Sequence, residues 1–174
     1  MVAVLTGPVH SGKTSLLVRA VPAWRARGLA CGGFLSPAAT DEAGDGYDLF
    51  EIGPDRRRPY LRTRGAPAAE RVGPFVFAPE ALERARAILR AAEPDGLLVI
   101  DEVGPLELEG GGLWPALGGL LGVRPGPLLL VVREGLLDAV AARLAPAVPA
   151  VVDVRDPAAP DRLERLLFDA PGAA

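Results

Sequence analysis

Gly7-Pro8-Val9-His10-Ser11-Gly12-Lys13-Thr14 stands between two segments of opposite character. Before it runs the apolar stretch Val2 to Thr6, which reads as a buried strand. After it, from Lys13 to Arg27, Leu16, Leu17, Ala20, Val21 and Trp24 recur at helical spacing, and Gly28 suits the helix end. Pro22 lies inside that pattern and is expected to kink the helix or shift its boundary. The eight residues fit the pattern G-x-x-x-x-G-K-[ST], a loop whose backbone cradles phosphate. Each part has a physical task. Gly7 lets the chain leave the strand in a tight turn, and Gly12 lets N–H groups approach phosphate oxygens. The helix aims its positive end at the same place. Lys13 would reach the β- and γ-phosphates, and the Thr14 hydroxyl would ligate magnesium. The expected nucleotide contacts are therefore Gly7, Pro8, Val9, His10, Ser11, Gly12, Lys13, Thr14 and Ser15.

Composition strengthens this reading. Lysine occurs once, at Lys13, among 19 basic residues, and asparagine and glutamine do not occur. Arginine serves at every other basic position, yet the single lysine stands where a forked guanidinium would fit poorly. His10 is the only histidine, and no nucleophile or metal-ligand spacing surrounds it, so a bystander role is favoured over catalysis.

Further along, Cys31 to Ser36, Tyr47 to Ile52 and Pro59 to Arg62 read as strands of a small meander, with a turn-rich segment from Ala38 to Gly46. Val72 to Phe77 reads as another short strand. Pro79 to Ala92 is an amphipathic helix with Leu82, Ala85, Leu89 and Ala92 on one face. The apolar runs Leu97 to Ile100, Leu128 to Val132 and Val148 to Val154 are strands, the last two separated by a helix from Leu136 to Leu144. Asp161 to Phe168 reads as a closing helix. Apolar strands alternating with helices predict an α/β domain with a mostly parallel sheet covered on both faces.

Leu97-Leu98-Val99-Ile100 delivers Asp101 and Glu102 at the carboxyl end of its strand, where open α/β sheets place their ligands. Beside a phosphate cradle the first acid supports the magnesium shell, so Thr14 and Asp101 are the expected metal residues. A second carboxylate near the γ-phosphate can orient or deprotonate the attacking water. Since the chain has no glutamine, a water-positioning glutamine is impossible, and Glu102 is the expected catalytic base, with Lys13 as its electrostatic partner. Arg133, at the end of Leu128 to Val132, faces the same crevice and is expected either to contact phosphate or base or to cap the next turn.

With 174 residues the chain has the length of one domain, and its size needs no disulfide or metal for a core. The lone Cys31 cannot form an internal disulfide, and Met1-Val2-Ala3-Val4 lacks the basic start of a signal peptide. The uncharged stretch Gly110 to Val123 is too short and glycine-rich for a membrane helix. A cytoplasmic protein is expected. Its net charge of −3 gives no general attraction to nucleic acid or anionic membrane, so neither is expected as a partner, and a protein partner is left open.

The cradle, the segments Gly32-Gly33-Phe34-Leu35-Ser36-Pro37 and Gly46-Tyr47-Asp48-Leu49, and Asp101-Glu102-Val103-Gly104-Pro105-Leu106-Glu107-Leu108 together resemble a known family. It is the small P-loop nucleoside-triphosphatases, typified by the human cancer-related nucleoside-triphosphatase and thermophilic prokaryotic relatives. The resemblance implies a Rossmann-like P-loop NTPase domain over residues 1–170, with a hairpin and meander insertion at about 30–77 and a frayed C-terminus at 171–174. It further implies slow, magnesium-dependent hydrolysis of ATP, GTP and other nucleoside triphosphates with little base preference. Carried over by position, Lys13 and Thr14 bind phosphate and Mg²⁺, Asp101 supports the metal and Glu102 activates water. Relatives often carry a lysine where this chain has Pro105, so no role of that lysine transfers.

Two other readings share the cradle. A nucleoside or nucleotide kinase would move phosphate to an acceptor hydroxyl, with Arg56, Arg57, Arg58, Arg62 and Arg64 as a lid. A nucleotide-dependent switch would use the glycine-rich Gly110 to Gly122 segment or the hairpin as a moving surface. The bland reading of the arginine cluster is a solvated surface facing Asp41, Glu42 and Asp45. Guanine selectivity through an Asn/Thr-Lys-x-Asp element is excluded, because the only lysine is in the cradle. Trp24 is expected in the core; Trp114 is left open.

Overall fold

The computed structural model describes residues 1–65 and 70–169; the expected fraying at 171–174 lies outside them. The chain begins with β1 (Val2–Gly7) and α1 (Lys13–Ala26). An antiparallel excursion follows: β2 (Cys31–Leu35), β3 (Ala38–Asp41), β4 (Gly44–Glu51), β5 (Arg56–Arg62), β6 (Arg71–Val72) and β7 (Phe75–Phe77). Next come α2 (Ala81–Arg90), β8 (Leu97–Val103) and two short helices, α3 (Pro105–Leu108) and α4 (Trp114–Leu117). The chain closes with β9 (Leu128–Arg133), α5 (Leu137–Leu144), β10 (Ala150–Asp153) and α6 (Ala159–Phe168).

These strands form one sheet in the order β10-β1-β9-β8-β2-β4-β5-β7-β6, with β3 paired to β4 at the side. From β10 to β2 every pairing is parallel; from β2 outward every pairing is antiparallel. The apolar runs explain the division. Leu97 to Ile100 and Leu128 to Val132 are buried along their whole length, as strands covered on both faces must be. Helices α1 and α6 cover one face through Leu17, Val21, Trp24, Leu163 and Leu167. Helices α2, α4 and α5 cover the other through Leu82, Ala85, Leu89, Leu117, Val140 and Leu144. Burying a leucine or valine of this kind is worth about 1.5–3 kcal/mol. The α/β architecture with helices on both faces follows from the sequence pattern.

Several local expectations change. Helix α1 runs through Pro22 without a shifted boundary. Proline there frees the carbonyl of Val18, which lies on the exposed side of the helix where water can satisfy it. The turn-rich stretch Ala38 to Gly46 contains a strand, β3, whose residues pair with β4 from Ala38↔Tyr47 to Asp41↔Gly44. Small polar residues concealed it because β3 is almost wholly exposed and carries no core pattern. Val72 to Phe77 is a tight hairpin of two strands rather than one. Gly110 to Gly122 is partly built, with Leu113 and Leu117 in the core and the Arg86 Nε donating to the Gly112 carbonyl at 2.8 Å. Trp24 is 1% exposed, as expected of a core residue. Trp114 packs against the core with the Arg143 guanidinium 4.1 Å from its ring centre.

Candidate functional site

The loop after β1 closes on itself through its own side chains. Ser11 Oγ donates to the Pro8 carbonyl at 2.7 Å, and the Lys13 ammonium donates to the carbonyls of Gly7 at 3.0 Å and Pro8 at 2.6 Å. A Cβ on Gly7 would stand 2.7 Å from Val154 and 2.9 Å from Ser11 Oγ, at a φ of +144°. At Gly12, φ is +90° and nothing lies within 4 Å of where a Cβ would be, so one glycine permits close packing and the other leaves the mouth open. Helix α1 starts here with no side-chain cap. Its first N–H groups, on Lys13, Thr14 and Ser15, therefore point unpaired at whatever occupies the cradle.

Sheet order supplies the other side. Strand β9 lies between β1 and β8, and Gly7 stands in register with Arg133. Arg133 thus sits beside the cradle, and its Nε donates to Glu102 Oε1 at 2.5 Å. Asp101 is 1% exposed, one Oδ accepting the Ser36 N–H at 3.0 Å, with the Ser36 hydroxyl donating to the Asp101 carbonyl. Burial pushes the Asp101 carboxyl up to about 6, against the lowering effects of the Ser36 N–H, the neighbouring Thr14 hydroxyl and Lys13. Burial also lowers the Lys13 ammonium from its ordinary value, opposed first by Glu102 and then by Asp101. Two acids and one lysine, each costly alone, face one another across the crevice.

One cavity of about 610 Å³ joins these groups. Val9, His10, Ser11, Gly12, Lys13, Thr14 and Ser15 line it on the cradle side, and Asp101, Glu102 and Arg133 face them. Gly7 and Pro8 do not line it; their carbonyls hold Lys13 from behind. His10 is exposed at the loop tip with φ +60°. Magnesium suits this donor set: a hydroxyl and a carboxylate, hard oxygens side by side, leave coordination positions for water and phosphate.

Other functional residues carried little signal in the sequence. Glu107 is buried, its two oxygens accepting the N–H groups of Gly104 and Leu113 at 2.8 Å each, which anchors the turn that follows β8. Its spacing of three from Gly104 at a helix start was the available clue. Ser36 became visible only once β2 was known to neighbour β8. The arginine cluster is tied into the meander: Arg62 is buried between Asp41 and Asp48, Arg57 meets Asp48, and Arg58 meets Glu51. Of the acidic tip expected to face it, Asp41 is a partner, and the principal carboxylates lie on β4.

Cradle, acid pair and parallel sheet together define a P-loop nucleotide-binding domain. The sequence profile of a family described as NTPase matches residues 2–155, and the chain belongs to that family. The nucleoside-triphosphatase THEP1 of Thermofilum pendens is 34% identical over 115 residues, covering 64% of this chain and 63% of that protein. THEP1 of Methanopyrus kandleri is 31% identical over 108 residues, covering 61% and 59%. The matched region thus spans about three fifths of each relative's length. The fold is that of the human cancer-related nucleoside triphosphatase (TM-score 0.70, 24% identity, 99% of this chain and 98% of that one). It is also that of THEP1 from Aquifex aeolicus (TM-score 0.73, 17% identity, 96% and 99%).

Proposed function

We propose that this chain hydrolyses nucleoside triphosphates, ATP and GTP among them, to the diphosphate and phosphate with Mg²⁺ in attendance. The observation that carries the reading is the convergence of unpaired helix N–H groups, Lys13, the Thr14–Asp101 oxygens and the Glu102–Arg133 pair on one cavity. Thr14 and Asp101 would hold the metal, which when bound neutralises charge on the β- and γ-phosphates. The N–H groups of Lys13, Thr14 and Ser15 take phosphate oxygens, and Lys13 exchanges the Gly7 and Pro8 carbonyls for them. Glu102 orients a water toward the γ-phosphorus and accepts its proton. Arg133 leaves Glu102 to meet the γ-phosphate, which frees the carboxylate as the cationic charge arrives where negative charge grows.

Slow turnover is proposed on the family resemblance, and weak selectivity for the base is supported by the lack of an Asn/Thr-Lys-x-Asp element to read guanine. The cytoplasm is the proposed location, where such substrates are abundant. Phosphate release from ATP, GTP, CTP and UTP, each with and without magnesium, tests the proposal. Magnesium-dependent release from all four supports it; tight nucleotide binding without release sinks it.

A further inference from the structure

Part of the cavity lies away from the groups that would meet phosphate, metal and water. Past Asp101 and Glu102 it continues into an apolar chamber walled by Tyr47, Tyr60, Leu61, Val72, Phe77 and Leu106, all from the antiparallel strands and α3. Phosphate, magnesium and water have no use for such walls. The whole cavity, at about 610 Å³, falls within the size range of small-molecule sites (~300–1,000 Å³). Tyr60 is the second observation. It is 5% exposed, lines the chamber, and its hydroxyl takes part in none of the hydrogen bonds among the described residues. Burial holds that phenol above its ordinary range, with Glu107 and Asp101 adding to the effect, so it stays a neutral donor and acceptor. That hydroxyl is not sealed from the cavity, so it is open to donate to and accept from a polar group bound there.

We propose that this chamber binds a neutral nucleoside as phosphoryl acceptor, and that the chain transfers the γ-phosphoryl group to the nucleoside's primary hydroxyl as well as to water. The inference rests on the nucleotide reading above, which puts the γ-phosphorus at the Glu102 end of the cradle and hence next to the chamber. Planarity is read from the walls: the rings of Tyr60 and Phe77 stand edge to face at 5.2 Å and offer flat apolar surface. Neutrality is read from charge. Among the described residues no lysine or arginine lines the chamber side, where Asp101, Glu102 and Glu107 are the charged lining groups; Arg86 acts on Tyr60 from outside the lining and is itself engaged with the Gly112 carbonyl and Glu70. Arg62, next along β5, is buried in pairs with Asp41 and Asp48. An acceptor already bearing phosphate would meet like charge and no clamp.

The step balances without a further reactant. The acceptor O–H proton passes to the Glu102 carboxylate, the acceptor oxygen bonds to the γ-phosphorus, and the bond from that phosphorus to the bridging oxygen breaks. Its electron pair leaves with the nucleoside diphosphate, whose new charge Lys13 and the loop N–H groups accept.

The experiment uses the full chain, γ-labelled ATP and magnesium with adenosine, guanosine, cytidine, uridine or thymidine. Label appearing in a nucleoside monophosphate supports the proposal; label appearing solely as orthophosphate with all five overturns it while leaving hydrolysis intact. No turnover of ATP at all would fail the hydrolysis reading itself. A binding measurement stands beside it: calorimetric titration of nucleoside into protein saturated with a non-hydrolysable ATP analogue. Saturable binding to the loaded protein is expected, and Tyr60→Phe, which keeps the ring, should weaken it about three- to tenfold relative to its effect on the analogue. Competition between nucleoside and analogue would mean that the chamber is the nucleotide's own base site and would overturn the inference. So would unchanged nucleoside affinity in Tyr60→Phe.

Discussion

Removing Arg133 sets two effects against each other. In the nucleotide-free protein its Nε lies 2.5 Å from Glu102 Oε1, so Arg133→Ala releases the proposed base from a partner that holds it. That change alone would quicken catalysis. The pair is open to solvent, with Arg133 41% and Glu102 25% exposed, and such pairs are worth about 0.2–1 kcal/mol. Against this stands the contact Arg133 would make with the γ-phosphate, a charge-assisted hydrogen bond worth roughly 1.5–3 kcal/mol. The phosphate contact outweighs the ion pair by about 0.5–2.8 kcal/mol, so its loss lowers kcat/KM on the order of 2- to 110-fold. The assay is steady-state phosphate release across a range of ATP concentrations, with nucleotide affinity measured separately. A kcat/KM equal to or above the parent's would refute the reasoning and leave Arg133 as a restraint on Glu102 alone.

Lys13→Ala should weaken nucleotide binding and turnover together, because the ammonium is the proposed phosphate ligand as well as the tie between the loop's two carbonyls; equilibrium titration with a fluorescent nucleotide measures the first. Glu51 is 1% exposed, and hydrogen bonding from Arg84, helped by Arg58, holds its carboxyl below the usual range. A depressed folded-state value means that its stabilisation is complete above the unfolded carboxyl's value near ~4.3 and is lost as pH falls through the folded one. Glu51→Gln should therefore cost about 1–3 kcal/mol at pH 7 and flatten the acid limb of a urea-denaturation series. Burial pushes the Cys31 thiol up to about 11, so alkylation by iodoacetamide should be slow at pH 7.5 and quicken about tenfold per pH unit until that value.

How much was legible depended on whether local sequence carried the constraint. The cradle was readable because strand, glycines, lysine and helix are contiguous, and Asp101-Glu102 because an apolar strand announced them. Strand β3 was not, since four small or polar residues, three of them exposed, have no period to detect. The Arg133–Glu102 contact depends on β9 inserting between β1 and β8, a fact of sheet order with no local trace. The same holds for Ser36 against Asp101, and for the way Tyr60, Val72 and Leu106 come to share one chamber. Arginines read as a surface cluster became partners of Asp48 and Glu51 once β4 and β5 were paired, because cross-strand neighbours are not neighbours in sequence.

The most direct test of the account is single-turnover hydrolysis of magnesium–ATP by Glu102→Gln, with nucleotide affinity measured on the same protein. The substitution keeps shape and hydrogen bonding while removing the base. Near-parental affinity and a chemical step at least ~10-fold slower are expected, as loss of a general base requires. A parental rate would contradict it and remove Glu102 from the chemistry.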